Sequence, residues 1–225
     1  MNVWYLCKYV SMPGNGYVGM RAFYLMENLA SKNCNIDLIT SSSSAFLSDH
    51  NVLGRSDISS NFTFHQLSGV RYGKAGSFLR ILSWLEFEVK VFFLNKKVLR
   101  KPDIVIASSL SILSIINGYI WSRRYKAKLV FEVRDIWPLT LTEEAGFSKR
   151  NPFVFLLSLL ERWGYNVSDL IVGTMPNLQQ HVSQVSNGSE GKVVCIPFGY
   201  PDGQPNELFR SDFSIESNNI NFVLG

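Results

Sequence analysis

The sequence contains little cysteine. Its 225 residues include three cysteines, Cys7, Cys34 and Cys195, and they lie far apart. The lack of a CxxC pair or a Cys/His cluster argues against a disulfide framework and against a zinc site. Because thiols stay reduced in the cytosol, this usage is typical of a cytoplasmic protein with buried cysteines.

The sequence also lacks a hydrophobic run long enough to cross a bilayer. The richest candidate, Phe78–Leu94, is interrupted by Arg80, Glu86, Glu88 and Lys90, whereas a spanning helix needs about 20 mostly apolar residues. Hydrophobic residues make up 46% of the chain and charged residues 18%, which is typical of a globular protein. Since about 100–200 residues per domain is usual, we predict one large domain.

The charge of the chain is only mildly positive, with a formal net charge of +4. The excess is concentrated between Arg71 and Lys101, where eight basic residues stand against two acidic ones. A mild excess suits a protein that meets anionic lipids or phosphates, and it also suits many enzymes that meet neither. We predict no nucleic-acid partner.

Short apolar runs rich in β-branched residues alternate with longer helical stretches. The later runs show no polar alternation, which is typical of parallel strands buried on both faces. The pattern predicts an α/β fold, with a Rossmann-like parallel sheet and helices on both faces, over residues 1–200. We expect strands at Val3–Lys8, Asn35–Thr40, Phe62–Gln66, Asp103–Ala107, Lys128–Val133, Asp169–Val172 and Lys192–Ile196, helices at 19–32, 77–100, 110–124, 152–167 and 175–186, and a surface excursion at Ser41–Ser60.

The composition changes after Tyr200. Residues 201–219 are rich in Pro, Asp, Ser and Asn, as linkers are. The run Ile220–Gly225 then has the composition of a strand. We therefore expect a linker at 201–219 and, at 220–225, the truncated first strand of a second domain.

A glycine-rich loop follows the first predicted strand. Gly14–Gly19 matches the pattern G-x-G-x-x-G, in which glycines let the backbone approach a phosphate at a helix N-terminus. A tight turn without a ligand is the alternative, because such a short motif is weak alone. The candidate substrate-binding residues of this loop are Gly14, Asn15, Gly16, Tyr17 and Gly19.

Two familiar nucleotide sites are disfavoured by what is missing near this loop. A nicotinamide or flavin site needs an acidic residue at the end of the second strand, where this chain has Thr40–Ser44. A P-loop needs Lys-Ser or Lys-Thr after the glycines, and neither is present. A Rossmann oxidoreductase is therefore the weaker alternative.

The run Phe131–Pro138, FEVRDIWP, is the most specific motif of the chain. Together with the glycine loop it resembles the N-terminal domain of glycosyltransferase family 4, and in particular bacterial enzymes of surface-polysaccharide assembly that transfer N-acetyl-L-fucosamine or similar sugars. Asp103–Ser109, Gly173–Pro176 and Ile196–Asp202 also resemble motifs of that family. The last departs from the usual Pro-Asn-Gly pattern by carrying a phenylalanine. The resemblance covers nearly the whole chain.

The resemblance implies a GT-B architecture, in which two Rossmann-like domains enclose the active site. The N-terminal domain holds the acceptor and the C-terminal domain holds the nucleotide sugar. The family retains anomeric configuration and needs neither a metal nor another cofactor. Its donor site has two glutamates in the spacing E-x7-E, which this chain lacks, so we expect the chain alone to be inactive.

The expected substrates are a nucleotide sugar, a UDP-sugar in the first instance, and an undecaprenyl-diphosphate-linked saccharide. Such a transferase works in O-antigen, capsule or exopolysaccharide synthesis and is peripheral at the inner face of the bacterial cytoplasmic membrane. The alternative function is a non-catalytic domain that binds a membrane or a partner.

Arg134 and Asp135 are the candidate catalytic residues, because ligands bind at the carboxyl ends of the strands in such sheets. Arg134 is expected to neutralise charge on the leaving nucleotide, and Asp135 to accept a hydrogen bond or proton from an acceptor hydroxyl. A purely structural Arg–Asp pair is the alternative. Glu132 is expected to hold Arg134 through a salt bridge.

Four further residues are candidates for substrate binding. Ser108, Ser109 and Thr174 follow predicted strands, where a hydroxyl either caps the next helix or contacts the acceptor, and capping is the simpler expectation. Trp137 is expected to pack in the loop, with sugar stacking as the alternative.

The predicted helix 77–100 is apolar almost all round and basic at its far end. Aromatic residues beside lysine and arginine are typical of a helix that rests on an anionic bilayer. A core helix with a solvated end is an equal alternative. The candidate membrane-contact residues are Trp84, Lys96, Lys97, Arg100 and Lys101.

Overall fold

A computed structural model describes residues 1–10, 20–43, 54–70, 78–144, 146–148 and 150–197. Its strands are β1 Asn2–Leu6, β2 Asn35–Ser41, β3 Gly54–Ser59, β4 Phe62–Leu67, β5 Ile104–Ser108, β6 Lys128–Val133, β7 Leu170–Gly173 and β8 Val193–Cys195. Its α-helices are α1 Met20–Ser31, α2 Phe78–Phe93, α3 Ser114–Tyr125, α4 Pro152–Val167 and α5 Leu178–Val185. The predicted linker and second-domain strand lie outside the described residues.

The eight strands form a single sheet in the order β3-β4-β2-β1-β5-β6-β7-β8. Every neighbouring pair is parallel except β3 and β4, which are antiparallel. Parallel neighbours need a crossover between them. An α-helix lies in the crossover of every parallel pair except β2 and β4, between which β3 lies. The predicted Rossmann-like α/β fold is therefore confirmed.

Both faces of the sheet carry apolar side chains, because successive residues of a strand point to opposite faces. On β1, Val3 and Tyr5 belong to the core under α1. Trp4 and Leu6 point the other way and pack with Phe87 of α2. This burial on both faces explains why the sequences of the strands are continuous apolar runs.

A second part of the core lies between β6 and the helices α3, α4 and α5. Phe131 of β6 packs on Tyr165 of α4, with ring centroids 5.8 Å apart. A side chain built on Gly164 of α4 would come within 3.1 Å of Phe131 and 3.2 Å of Ile115. Glycine at this position therefore lets α4 lie close to both β6 and α3.

Several predicted elements match closely, since their ends carry strong local signals. The helix predicted at 152–167 has those bounds. The Asn151 side chain accepts a hydrogen bond from the Phe153 N–H, and Pro152 occupies the first turn, where its missing N–H costs nothing.

Three predictions differ from the structure. The expected surface excursion contains β3, whose residues are polar because it is an exposed edge strand. The helix predicted at 77–100 ends at Phe93, because Asn95 caps a new 3₁₀ turn at Lys96–Val98. Cys195 is exposed, whereas Cys7 and Cys34 are buried as expected.

Two kinds of feature are absent from the described residues. None of their helices has the length and apolar character that crossing a membrane requires. No group of three or more His, Cys, Asp or Glu side chains among them is placed to hold a metal ion.

We predict that Gly164→Val destabilises the fold by about 1–3 kcal/mol, because the added atoms overpack the contact with Phe131 and Ile115. Urea unfolding measures this difference. Gly191→Val is the matched control, since a side chain there meets nothing within 4 Å. Equal unfolding midpoints for the two variants would contradict the close approach of α4.

Candidate active site

The strand order locates the crevice in which a ligand binds. Crossovers from β1 lead in one direction to β2 and β4, while β5, β6 and β7 follow on the other side. The order thus reverses between β1 and β5, and ligands of doubly wound sheets bind outside the carboxyl ends of the strands at such a point. The residues that follow β1, β5 and β6 at this edge form the candidate site.

Arg134 and Asp135 follow β6 directly, and both are half-buried. Their backbone is fixed by one side chain from the adjacent strand end. The Ser109 hydroxyl accepts hydrogen bonds from the Arg134 N–H at 2.9 Å and the Asp135 N–H at 3.1 Å, and donates to the Asp135 carbonyl at 3.1 Å. One donor and two acceptors use the full capacity of a hydroxyl.

Trp137 also holds this loop in place, through a hydrogen bond and a ring contact. Its indole N–H donates to the Ser109 carbonyl at 2.7 Å, and its ring packs edge-to-face on Trp84 at 5.2 Å. The Trp84 N–H in turn donates to the Tyr9 hydroxyl at 2.8 Å. Trp137 is only 2% exposed, so its ring packs inside the protein and presents no free face to a sugar in this structure.

The serines at the end of β5 do not cap the helix that follows. Ser108 is fully buried beside the Cys7 thiol and makes no capping bond. The Ser109 hydroxyl accepts hydrogen bonds from the backbone N–H groups of Arg134 and Asp135 instead. Both were expected to cap or to contact substrate, and burial now rules out direct contact for Ser108 in this conformation.

Arg134 lies close enough to the end of β1 for its charge to act there. Burial raises the pKa of the Cys7 thiol to about 11, and the Arg134 guanidinium opposes that rise. Burial and the Glu132 carboxylate likewise raise the pKa of Tyr5, again against Arg134. Cys7 is therefore a neutral thiol and not a nucleophile.

Glu132 has partners that the sequence did not suggest. Its carboxylate accepts a hydrogen bond from the Tyr5 hydroxyl and pairs with Arg21 of α1 at 3.4 Å. The Arg21 guanidinium also donates to the carbonyls of Ile196 at 2.7 Å and Pro197 at 2.8 Å. The expected role in holding Arg134 is thus replaced by a bridge between β1, β6, α1 and the chain after β8.

Sequence reasoning missed Tyr5, Arg21 and a buried lysine. The Lys8 side chain is fully buried after β1, where its ammonium donates to the Ser43 and Ser83 hydroxyls. Burial lowers the pKa of Lys8 to about 7 against the raising effect of the carboxylates of Glu86 and Glu88. For Tyr5 the available signal was strand alternation, which places it on the same face of β1 as Val3.

Glu88 of α2 is a half-buried carboxyl group near this edge. Its carboxylate accepts hydrogen bonds from Ser111, Ser114 and Asn117, which attaches α2 to α3. Burial raises the pKa of Glu88 to about 7 in spite of these donors. The network positions α2 beside the crevice.

The remaining candidates fall in different places. Thr174 is half-buried directly after β7, at the same edge as Arg134. The glycine-loop residues Gly14, Asn15, Gly16, Tyr17 and Gly19 lie outside the described residues.

The candidate membrane-contact residues are only partly on the surface. Trp84 is 3% exposed and belongs to the core, so its assignment to a membrane surface is wrong. Lys96 is half-buried and donates to three carbonyls at the end of α2, and the Arg100 guanidinium donates to the Ser60 carbonyl. Lys97 and Lys101 are exposed.

Comparison with known proteins gives a fold and no family. No family model matches the sequence, and no curated protein matches it. A solved structure of sucrose-phosphate synthase from Thermosynechococcus elongatus matches with a TM-score of 0.51 and 12% identity, over 88% of this chain and 90% of that chain. The similarity shows that the two proteins share the Rossmann-like α/β fold.

Two further solved structures resemble the chain less closely. One is an E. coli trehalose-6-phosphate protein bound with UDP-2-fluoro glucose, with a TM-score of 0.49 and 11% identity over 79% of this chain and 40% of that chain. The other is Anabaena HepE in complex with UDP-glucose, with a TM-score of 0.42 and 14% identity over 89% and 44%. The chain thus spans less than half the length of either.

We predict that Ser109→Ala destabilises the protein by about 1–3 kcal/mol, because two buried N–H groups lose their acceptor. Urea unfolding provides the measurement. Ser158→Ala is the control, since that hydroxyl bonds only within its own exposed helix turn. If both variants unfold at the same urea concentration, Ser109 does not hold the loop.

We also predict that the contribution of Lys8 to the free energy of unfolding rises between pH 7 and about pH 9. The ordinary pKa of 10.5 keeps the unfolded lysine protonated in this window, while the folded lysine, with a pKa of about 7, loses its proton. Because the unfolded state binds more protons, raising the pH favours folding.

Urea midpoints at both pH values test this prediction with Lys8→Met, which removes the titrating group and keeps much of the volume. From pH 7 to pH 9, the change in urea midpoint should favour folding less in Lys8→Met than in the unmodified protein. Lys32→Met changes an exposed lysine and should show the same difference between the two midpoints as the unmodified protein. If Lys8→Met shows the same difference between the two midpoints as the unmodified protein, Lys8 keeps an ordinary pKa in the folded state.

Proposed function

We propose that the chain is the acceptor-side domain of a retaining glycosyltransferase of the GT-B type, related to family 4. The observation that supports the proposal is the position of Arg134 and Asp135, which follow β6 beside the reversal of strand order. The fold shared with a sucrose-phosphate synthase fits the same activity. The FEVRDIWP motif supplies the resemblance to family 4 in particular.

The proposed donor is a nucleotide sugar, of which UDP-sugars are the first to test. Two of the less similar structures hold a UDP-sugar or its fluoro analogue. Arg134 would place a fixed positive charge where the leaving nucleotide gains negative charge, which is catalysis by a preorganised electrostatic environment. Asp135 would orient the acceptor hydroxyl as a hydrogen-bond acceptor or base.

The proposed acceptor is an undecaprenyl-diphosphate-linked saccharide in O-antigen, capsule or exopolysaccharide synthesis. Such a substrate places the enzyme at the inner face of the cytoplasmic membrane as a peripheral protein. Neither metal nor cofactor is part of the proposed chemistry, since Arg134 takes the role of the cation. The donor-binding domain would come from chain beyond residue 225.

The test is transfer of labelled sugar from a panel of UDP-sugars to a lipid-linked saccharide by the natural polypeptide. Incorporation of label into the lipid fraction supports the proposal. Failure with every donor, combined with saturable binding of a partner or vesicle, would favour the non-catalytic alternative.

We predict that Arg134→Ala in the natural polypeptide lowers kcat by roughly 100-fold to 1000-fold, because the positive charge beside the leaving group is lost. Arg55→Ala is the control, since Arg55 lies exposed on the edge strand β3 and pairs with Asp57. Circular dichroism should show the same fold in both variants. Equal kcat and KM for Arg134→Ala and the parent would remove Arg134 from the active site.

A further inference from the structure

The outward sides of α2, α3 and α4 carry many exposed apolar residues. Among them Phe93 is 77% exposed, Phe155 62% and Leu156 60%. We call this surface the α2–α4 face, and its apolar members are Leu79, Leu82, Leu85, Val89, Phe92, Phe93, Ile116, Ile120, Phe155, Leu156 and Leu159.

These three helices are neighbours in one layer. Ser111, Ser114 and Asn117 connect α3 to Glu88 of α2, and Tyr119 of α3 packs on Trp163 of α4 at 5.0 Å. The exposed residues therefore belong to adjoining surfaces. Monomeric soluble proteins rarely expose apolar patches larger than a few hundred Å², and larger patches mark interaction sites.

The fold does not need these outward apolar residues. The inward side of α2 already buries Trp84, Phe87 and Val91 in the core. A surface helix with a buried apolar stripe normally has polar residues on its opposite side. On α2 the opposite side is also apolar, which indicates a second surface that this helix covers.

Exposed basic residues lie at one end of all three helices. Each helix is a crossover between parallel strands, so all three run from the carboxyl edge of the sheet to its amino edge. Lys97 follows α2, Arg123 and Arg124 end α3, and Arg162 lies in the last two turns of α4, all exposed. The α2–α4 face thus has apolar residues along its helices and basic residues at their C-terminal ends.

Aromatic rings and cations meet at that end. Phe92 lies 5.2 Å from Phe93 and 5.8 Å from Trp121, centroid to centroid, and the Arg124 guanidinium is 5.9 Å from the Trp121 ring. The Trp121 indole N–H is buried, and among the described residues no acceptor bonds to it. Aromatic side chains beside arginine and lysine are typical of surfaces at the bilayer interface.

We propose that the α2–α4 face docks on an anionic lipid bilayer, with its apolar residues in the interfacial region and its basic end against anionic headgroups. The proposal deepens the proposed function, which requires a lipid-linked acceptor, and it names the surface that meets the lipid. A second copy of the chain fits less well, because the described residues of its matching face include no free carboxylate to meet the basic end. Glu86 pairs with Lys90, Glu88 bonds to α3, and Glu161 is buried. Anionic lipid instead neutralises that charge.

The test is flotation of the 225-residue chain with vesicles of phosphatidylcholine containing roughly one third phosphatidylglycerol, and with pure phosphatidylcholine vesicles. We expect flotation with the anionic vesicles, weaker flotation without anionic lipid, and loss of binding as salt is raised. Phe93→Ser with Phe155→Ser and Leu156→Ser should lower the bound fraction about tenfold. Lys97→Ser with Arg123→Ser, Arg124→Ser and Arg162→Ser should do so with anionic vesicles by a similar factor.

Matched controls use exposed residues outside the α2–α4 face. Val194→Ser on β8 removes an exposed apolar side chain, and Lys32→Ser after α1 removes an exposed charge. Neither should change flotation. Unfolding curves check that every variant keeps its fold, which the exposure of the substituted residues favours.

The proposal is overturned if the unmodified chain does not float with anionic vesicles, or if the controls weaken flotation as much as the α2–α4 variants. A dimer in solution that the Phe93 variant dissociates, without vesicle binding, would instead assign the face to a second copy. The assay contains no sugar donor, so its result is independent of sugar transfer. Transfer activity in the natural polypeptide with no vesicle binding would retain the proposed function and reject the surface.

Discussion

A parallel sheet must be covered on both faces, and its strands must be connected by crossovers. Each crossover returns the chain from the carboxyl edge to the amino edge, so strand ends and helix starts gather at one edge. The same geometry collects the ends of the helices at the other edge. A candidate site at the carboxyl edge and a basic cluster at the amino edge are two consequences of this arrangement.

Covering both faces leaves polar groups buried at the strand ends, and the structure satisfies them across elements. The Glu132 carboxylate accepts a hydrogen bond from Tyr5 and pairs with Arg21, the Lys8 ammonium donates to two serines, and Ser109 uses all its hydrogen-bonding capacity on the loop after β6. Buried polar groups left without partners would cost more than these bonds contribute. The loop that carries Arg134 and Asp135 is therefore held by the Ser109 side chain directly after β5, which suits a site that needs fixed charges.

The sequence predicted those parts of the fold whose signals are local. The continuous apolar runs predicted the parallel strands, and Asn151-Pro152 gave the start of α4. The strand end at Arg134 was likewise readable from position alone. What the sequence did not reveal depends on contacts between distant residues, such as Arg21 with Glu132 or Lys8 with Ser83. No local pattern distinguishes Arg21 from any other arginine on an amphipathic helix.

The interpretation of helix 77–100 shows why composition alone was insufficient. Its sequence is apolar all round, which suited a core helix and a membrane helix equally. In the structure the two sides of the helix differ. Trp84 and Phe87 face the core, while Leu85, Val89 and Phe93 face outward. Since α2 extends along the sheet from one edge to the other, its outward stripe begins near the edge that carries Arg134. A bilayer against that stripe would therefore lie beside the crevice, where an acceptor with its lipid in the membrane could present its saccharide to Asp135.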